Sequence, residues 1–318
     1  MYDVIVIGSG PAGLSAAVYG MRAQLNLLVL EQNPMSGGQI TDTYEIDNYL
    51  GMSGMNGFDL AMKFEEHAKK LGADIRNEEV IGIDRATNNE ADAEYVQGQA
   101  PVFHVVTQKE TYETKAVIFA MGATHAHLNV HGEQEFLGKG VSYCATCDGA
   151  FFRNKTAVVV GGGDVAVEDA IFLARMCHKV YLIHRRNELR ATKILQSELF
   201  SLKNVEIVWD SVVRSIEGTD TVERVVVDNV KTHESQELET DACFIAVGIV
   251  PRTDVCRGLV TLDQGGYIEA GESCETSAPG IFAAGDLRTK RLRQVVTAVA
   301  DGAVAITSVQ DYLIRMRG

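Results

Sequence analysis

The chain has 318 residues, long for a single core and comfortable for two domains that each enclose a cofactor. Its 46% hydrophobic and 23% charged fractions are those of a globular protein, and 30 glycines against 5 prolines point to close backbone approaches, not disorder. A formal charge of -14 argues against a general nucleic-acid or anionic-membrane partner, so any phosphate must be met by local arginines.

Val4, Ile5, Val6 and Ile7 predict a first strand, which turns through Gly8, Ser9, Gly10, Pro11, Ala12 and Gly13 into a helix carrying Leu14, Ala17, Val18 and Met21. A second apolar strand over residues 27–30 ends in Glu31. A Gly-x-Gly-x-x-Gly loop alone is weak evidence. Placed between two such strands, with an acid tipping the second, it fits a dinucleotide. The glycines let free N–H groups at the helix start approach a pyrophosphate, and Glu31 can accept from a ribose hydroxyl.

Gly37, Gly38, Gln39 and Ile40 follow, and residues 59–71 predict an amphipathic helix with Leu60, Phe64, Ala68 and Leu71 on one face. Residues 84–98 are polar and acidic and predict an exposed loop or hairpin tip without chemistry. Two short apolar strands, residues 117–122 and 244–248, each end in glycine and flank the middle of the chain as paired crossing points.

Within that middle part the first pattern returns. Residues 157–160 predict a strand, Gly161, Gly162, Gly163, Asp164, Val165 and Ala166 a turn, residues 170–176 a helix and residues 180–183 a second strand. Counting 23 residues from the first glycine reaches Glu31 in copy one and His184 in copy two. The acid is replaced by His184, Arg185 and Arg186, with Arg190 close behind. Such a cluster suits a 2′-phosphate, which arginine grips bidentately, so copy two reads as an NADP site. A solvated basic turn is the plain alternative; the register with Glu31 argues against it. Further on, residues 279–286 predict a strand ending in Gly285 and Asp286, an aspartate able to accept from the ribitol of FAD. A long, weakly amphipathic helix over residues 294–312 follows it.

Six cysteines are too few and too irregularly placed for a disulfide framework; four read as plain thiols, while Cys144 and Cys147 form Cys-x-x-Cys beside Asp148. A structural zinc would need a second ligand pair that the sequence lacks. Buried thiols are a further reading. A small disulfide with a neighbouring carboxyl as proton donor and acceptor is the stronger one. One flavin-type loop, one NADP-type loop and one dithiol define an electron path from NADPH to FAD to the disulfide to an external acceptor. No apolar stretch approaches the roughly 20 residues that cross a bilayer, and the apolar opening lacks a signal peptide's basic flank and cleavage site, which predicts a cytoplasmic protein.

These motifs, with Arg293 and Gln294, resemble those of the low-molecular-weight, prokaryotic-type thioredoxin reductase family along essentially the whole chain. The resemblance implies an α/β fold of two doubly wound Rossmann-like dinucleotide-binding domains. The NADPH domain, 124–248, is inserted into an FAD domain made of 1–123 and 249–318, and two chains form a homodimer. It extends the FAD contacts to Gln32, Gly38, Gln39, Ile40, Asn48, Gly122, Arg293, Gln294 and Val295, and the NADPH contacts to Gly161, Gly163, Asp164 and Val165. It also implies that Cys147 faces the flavin, that Cys144 attacks the disulfide of thioredoxin or a thioredoxin-like small redox protein, and that Asp148 handles the proton. The chain departs from the family pattern at Val165, usually serine, and at Leu50, often proline. Three other readings share these parts: the flavoprotein reductase of an alkyl hydroperoxide reductase-like peroxidase system, a flavin-thiol oxidase, and a flavoprotein redox sensor that does not turn over disulfide. No metal, nucleic acid or membrane partner is expected.

Overall fold

A computed structural model describes residues 1–43, 46, 48–85 and 101–316. The chain divides into two compact units, the first made of Met1–Thr43, Tyr49–Thr124 and Val250–Gly318, the second of Tyr44–Asn48 and His125–Ile249. The first unit opens with β1 (Val4–Ile7), α1 (Pro11–Arg22), β2 (Leu27–Glu31), α2 (Gly57–Lys70) and β3 (Asp74–Asn77). An antiparallel trio follows, β4 (Val80–Arg85), β5 (Phe103–Thr107) and β6 (Thr111–Thr114), and then β7 (Val117–Phe119). After β8 (Ala123–His125) the second unit runs through β9 (Val141–Ser142), α3 (Ala145–Asp148), β10 (Thr156–Gly161), α4 (Asp164–Ala174), β11 (Lys179–Ile183), α5 (Lys193–Ser201) and β12 (Val205–Val208). It continues with a second antiparallel trio, β13 (Ser211–Gly218), β14 (Val222–Asn229) and β15 (Ser235–Glu239), and with β16 (Ala242–Ala246). β17 (Ile249–Pro251) pairs with β8, and β18 (Ile281–Ala283) and α6 (Val295–Arg315) complete the first unit.

Each unit is built on five parallel strands, in the order β18-β7-β1-β2-β3 in the first and β9-β16-β10-β11-β12 in the second. β1, β2, β3 and β7 therefore match β10, β11, β12 and β16, and in both units an antiparallel trio precedes the last of the four. The repeat visible in two glycine loops thus extends over whole units. Only the outer strand breaks the match: β18 comes late in its unit and β9 early.

The strands are continuous apolar runs because both faces of each sheet are covered. Val4 and Val6 of β1 pack in one cluster with Ala305, Ile306 and Val309 of α6, while Ile5 and Ile7 point into another with Phe103 and Phe119. Ala157 and Val159 of β10 divide from Val158 and Val160 in the same way. Each such valine or isoleucine contributes about 1.5–3 kcal/mol before chain entropy is subtracted.

α2 begins two residues ahead of the expected Asp59, because the Asn56 side chain accepts from the Phe58 N–H at 2.9 Å and caps the helix. α4 stops at Ala174, short of Met176, and α6 runs on to Arg315. Of the polar stretch, Asp84 and Arg85 close β4; residues 86–98 lie outside the described residues. Among the described residues no helix is long and apolar enough to cross a membrane.

Candidate active site

In the first unit β1 delivers the chain to Gly8, where φ is +103° and a Cβ would lie 2.5 Å from the Ala120 carbonyl oxygen, so only glycine fits. Gly13 lets α1 settle on β1, since a Cβ there would strike the Gly8 carbonyl. At Gly10 a Cβ would meet nothing nearer than the Gly37 carbonyl oxygen at 3.9 Å, which leaves open space at the start of α1, with Pro11 in the first turn. Two turns wall this space. Gly38 faces Gly10, and Gly285 faces Ala12 with 3.0 Å between a built Cβ and the alanine methyl.

Glu31, buried at the tip of β2, is already engaged. Its Oε2 accepts from the Ser9 N–H and hydroxyl, both at 2.8 Å, and its Oε1 accepts from the Asn33 N–H at 2.9 Å and side-chain amide at 3.0 Å. The acid clamps the glycine loop, and a ribose hydroxyl would have to share or displace the Asn33 bonds. Ser9 is fully buried and turned to Glu31; a hydroxyl side chain inside the glycine loop is the sequence signal for that clamp. Ile40 is buried and Gln32 exposed. The Gln39 amide donates to the Ala123 carbonyl, next to Gly122, where a Cβ would have nothing within 4 Å among the described residues. Asn48 groups with the second unit, apart from the other flavin candidates.

Asp286 follows β18 and is half-buried. Burial raises its carboxyl above the usual range, partly opposed by Lys290 and Arg293, and its buried Oδ1 has no hydrogen-bond partner among the described residues. A ribitol hydroxyl would satisfy that acceptor, so the residues present fit a flavin dinucleotide. Behind it, Asp301 of α6 accepts from the Gly285 N–H at 2.9 Å, from Arg288 Nε and Nη2 at 2.9 and 2.8 Å, and from Lys290 Nζ at 2.7 Å. Burial alone would raise Asp301, but these bonds override it and hold the carboxyl below its ordinary value. Arg293 stacks on Tyr267, 4.1 Å from the ring centroid, and donates to the Asp286 carbonyl at 3.2 Å. Gln294 caps α6 in a capping box with Thr297, and Val295 opens the helix. Sequence reasoning missed Arg288, Lys290 and Asp301, which belong to no motif.

The second loop repeats the first. Gly161 lies against the Ala246 carbonyl, Gly163 has nothing among the described residues within 4 Å of a built Cβ, and α4 starts there with Asp164. Val160 pairs with Ile183 as Ile7 pairs with Leu30, so His184 and Glu31 stand at equivalent positions. The His184 ring fills the place a Cβ on Gly162 would need, and its Nε2 is 3.0 Å from the Glu188 carbonyl oxygen. Burial holds its pKa below the usual value, opposed by the Glu188 and Gly161 backbone and aided by Arg190 and Arg185. Arg185, Arg186 and Arg190 are exposed along a groove of about 600 Å³ that Lys231 also lines. Lys231 went unnoticed in the sequence. Asp164 accepts from the Thr192 N–H at 2.7 Å, and Val165 is 57% exposed, so its bulk disturbs no packing within the unit.

Cys144 and Cys147 form a disulfide with Cα atoms 5.3 Å apart. Cys147 sits in the single turn of α3, which Cys144 precedes. Gly149 then packs on α4, where a Cβ would lie 2.9 Å from Leu173. The helix that begins at the second glycine loop therefore supports the dithiol near its far end. Burial raises the Asp148 carboxyl, only partly offset by the 2.6 Å bond that its Oδ2 accepts from the Ser142 hydroxyl; its buried Oδ1 has no partner among the described residues. The Ser142 oxygen in turn accepts from the Cys144 N–H at 3.0 Å, which couples the proton-holding group to the redox turn. Cys177, Cys243, Cys256 and Cys274 are buried thiols. Burial pushes Cys177 and Cys274 up to about 11, and Cys243 and Cys256 higher, which leaves them unreactive at neutral pH.

Residues 2–302 match the family described as pyridine nucleotide-disulphide oxidoreductase. The chain is 43% identical over 314 residues to a thioredoxin reductase of Bacillus subtilis strain 168, covering 98% of this chain and 95% of that one. Among solved structures it matches the thioredoxin reductase of Streptococcus pyogenes MGAS5005 at 43% identity and a TM-score of 0.88, over 99% of this chain and 98% of the other. A thioredoxin reductase from Giardia duodenalis matches at 33% identity and a TM-score of 0.87, over 98% and 99%.

Proposed function

Because the chain belongs to the pyridine nucleotide-disulphide oxidoreductase family, we propose that it is a thioredoxin reductase, with NADPH as donor, FAD as carrier and the Cys144–Cys147 disulfide as outlet to thioredoxin or a thioredoxin-like protein. The observation that carries this reading is that disulfide beside a half-buried carboxyl, in the same unit as an arginine-lined nucleotide loop. When bound, FAD supplies the two-electron chemistry that links a nicotinamide to a pair of thiols. Residues 1–123 and 249–318 would hold it through the loop of Gly8 to Gly13, Glu31, Gly38, Gln39 and Asp286, while residues 124–248 would hold NADPH through Gly161, Gly163 and the basic cluster.

The thiol steps follow from ordinary exchange chemistry. In the reduced enzyme the Cys144 thiolate attacks one sulfur of the partner's disulfide, forming a mixed disulfide and releasing the partner's other sulfur as a thiolate, which takes up a proton. Cys147 then attacks the Cys144 sulfur. The Cys144–Cys147 bond re-forms, the second partner thiol leaves, and two electrons have passed to the partner. Asp148, which holds its proton more readily than an ordinary carboxyl and is tied to the redox turn through Ser142, would give and recover that proton. The working form is a homodimer in the cytoplasm.

Steady oxidation of NADPH, followed at the nicotinamide absorbance, should require thioredoxin and both cysteines. Consumption that a peroxidase protein supports and thioredoxin does not would replace the substrate; consumption unaffected by loss of either cysteine would remove the disulfide from the path.

A further inference from the structure

The groove beside Arg185, Arg186 and Arg190 holds a fourth cation, Lys231, which arrives just after β14. Its Nζ lies 2.9 Å from the Asp210 carboxylate, with the lysine side chain 59% exposed and the aspartate 18%. Asp210 is also a junction of main chain. Its N–H donates to the Arg186 carbonyl at 3.3 Å, and its own carbonyl accepts from the Val230 N–H at 2.7 Å. The arginine segment and the Lys231 turn are thus tied to one residue and line one groove.

Resting on the reading of this groove as the seat of the nucleotide's 2′-phosphate, we propose that Lys231 is a specificity-determining residue for NADPH, and that Asp210 is its exchangeable counter-ion, which yields the lysine to the phosphate when NADPH binds. An ion pair this exposed holds its lysine weakly. A nearly dianionic phosphate among three arginines is a stronger acceptor with three oxygens to offer. Lysine suits the task because its charge rides on a flexible stem and can change partners, where a guanidinium fork favours one fixed geometry. NADH presents a ribose hydroxyl at this point, which cannot compete with the carboxylate, so Lys231 remains on Asp210. The carboxylate therefore opposes NADPH binding while the lysine favours it, and the two residues should act with opposite signs.

The charge on Asp210 can be removed cleanly. Its φ is +51°, a left-handed conformation that asparagine tolerates, and both of its loop tethers are main-chain bonds. The intact enzyme would be titrated with NADPH, NADH and adenosine 2′,5′-bisphosphate by calorimetry. Lys231→Gln should weaken NADPH and the bisphosphate by roughly threefold to tenfold and leave NADH within about twofold; Asp210→Asn should tighten NADPH by roughly threefold, a gain lost in the Lys231→Gln background. NADPH affinity unchanged by Lys231→Gln, or NADH weakened equally, overturns the proposal. Arg186→Ala separates the two levels: if it weakens NADPH while Lys231→Gln does not, the role of Lys231 fails and the groove stands, and if neither variant matters both fail together.

Discussion

Burial shifts the Asp148 carboxyl toward its neutral form, against the Ser142 hydroxyl, which favours the charged form. Its folded pKa lies above the ordinary 3.8, so as pH rises past that value the unfolded chain ionises first. The resulting cost to stability is absent below about 3.8, grows with pH and is complete once the folded carboxyl has also ionised. Asp148→Asn should therefore melt at a higher temperature than the native enzyme at neutral pH and at the same temperature near pH 3.5, while thioredoxin turnover falls by about a hundredfold through loss of the proton donor. Calorimetry and the coupled assay read the two halves separately, and a variant with native turnover would take the proton role from Asp148. The neighbouring thiols differ in task. With Cys144→Ser, bleaching of the flavin by NADPH should persist, reduction of thioredoxin should cease and a thiolate-to-flavin charge-transfer band from Cys147 should appear; that band in Cys147→Ser instead would exchange the roles of Cys144 and Cys147.

At the level of elements, the turn after β18 and the start of α6 are held by one carboxylate. The Arg288 and Lys290 side chains are only 9% and 7% exposed, so Asp301→Ala would leave two cations buried without their counter-charge. Breaking such a group by removing one partner costs about 3–5 kcal/mol. The variant should unfold at lower denaturant concentration and lose flavin on dilution; native flavin content after gel filtration would argue that water reaches the cations. Because the Asp301 pKa is depressed, its stabilisation is present above the ordinary carboxylate value and lost as pH falls through the lower folded one, so acid should mimic the mutation. The contrast with what the sequence discloses is physical. Glycine loops, a cysteine pair and an arginine run are local devices whose spacing carries their chemistry, and Glu31 and His184 could be aligned by counting alone. The Asp301 network and Lys231 depend on side chains that folding brings together from separate segments, and the Ser142 link on the turn of α3 that returns Asp148 to Ser142. The antiparallel trio of the second unit was obscured for another reason: β13 and β14 slip register between Val213 and Ser215 and again between Glu217 and Gly218, which breaks the two-residue alternation that marks a strand.

Across the whole molecule, the dithiol and the second nucleotide loop belong to one unit and the flavin candidates other than Asn48 to the other. If nicotinamide and dithiol use the same side of one flavin they must take turns, and the crossings at β8 and β17 are where the inserted unit could pivot. An engineered disulfide joining the units should stop turnover and spare one half-reaction, whereas full turnover in completely cross-linked enzyme would show that no rearrangement is needed. At the same crossings each unit is already sealed. Within the inserted unit the Ala126 N–H donates to the Gly248 carbonyl at 2.9 Å, and within the host the Arg252 N–H donates to the Gly122 carbonyl at 3.0 Å. In genetic terms the middle of the gene is a cassette whose two borders encode neighbouring atoms, so one short splice closes the host reading frame. β18 would then be the next strand of the host's parallel sheet after β7 in the gene, as it is its neighbour in the sheet, and the excised cassette would keep its fifth strand, β9.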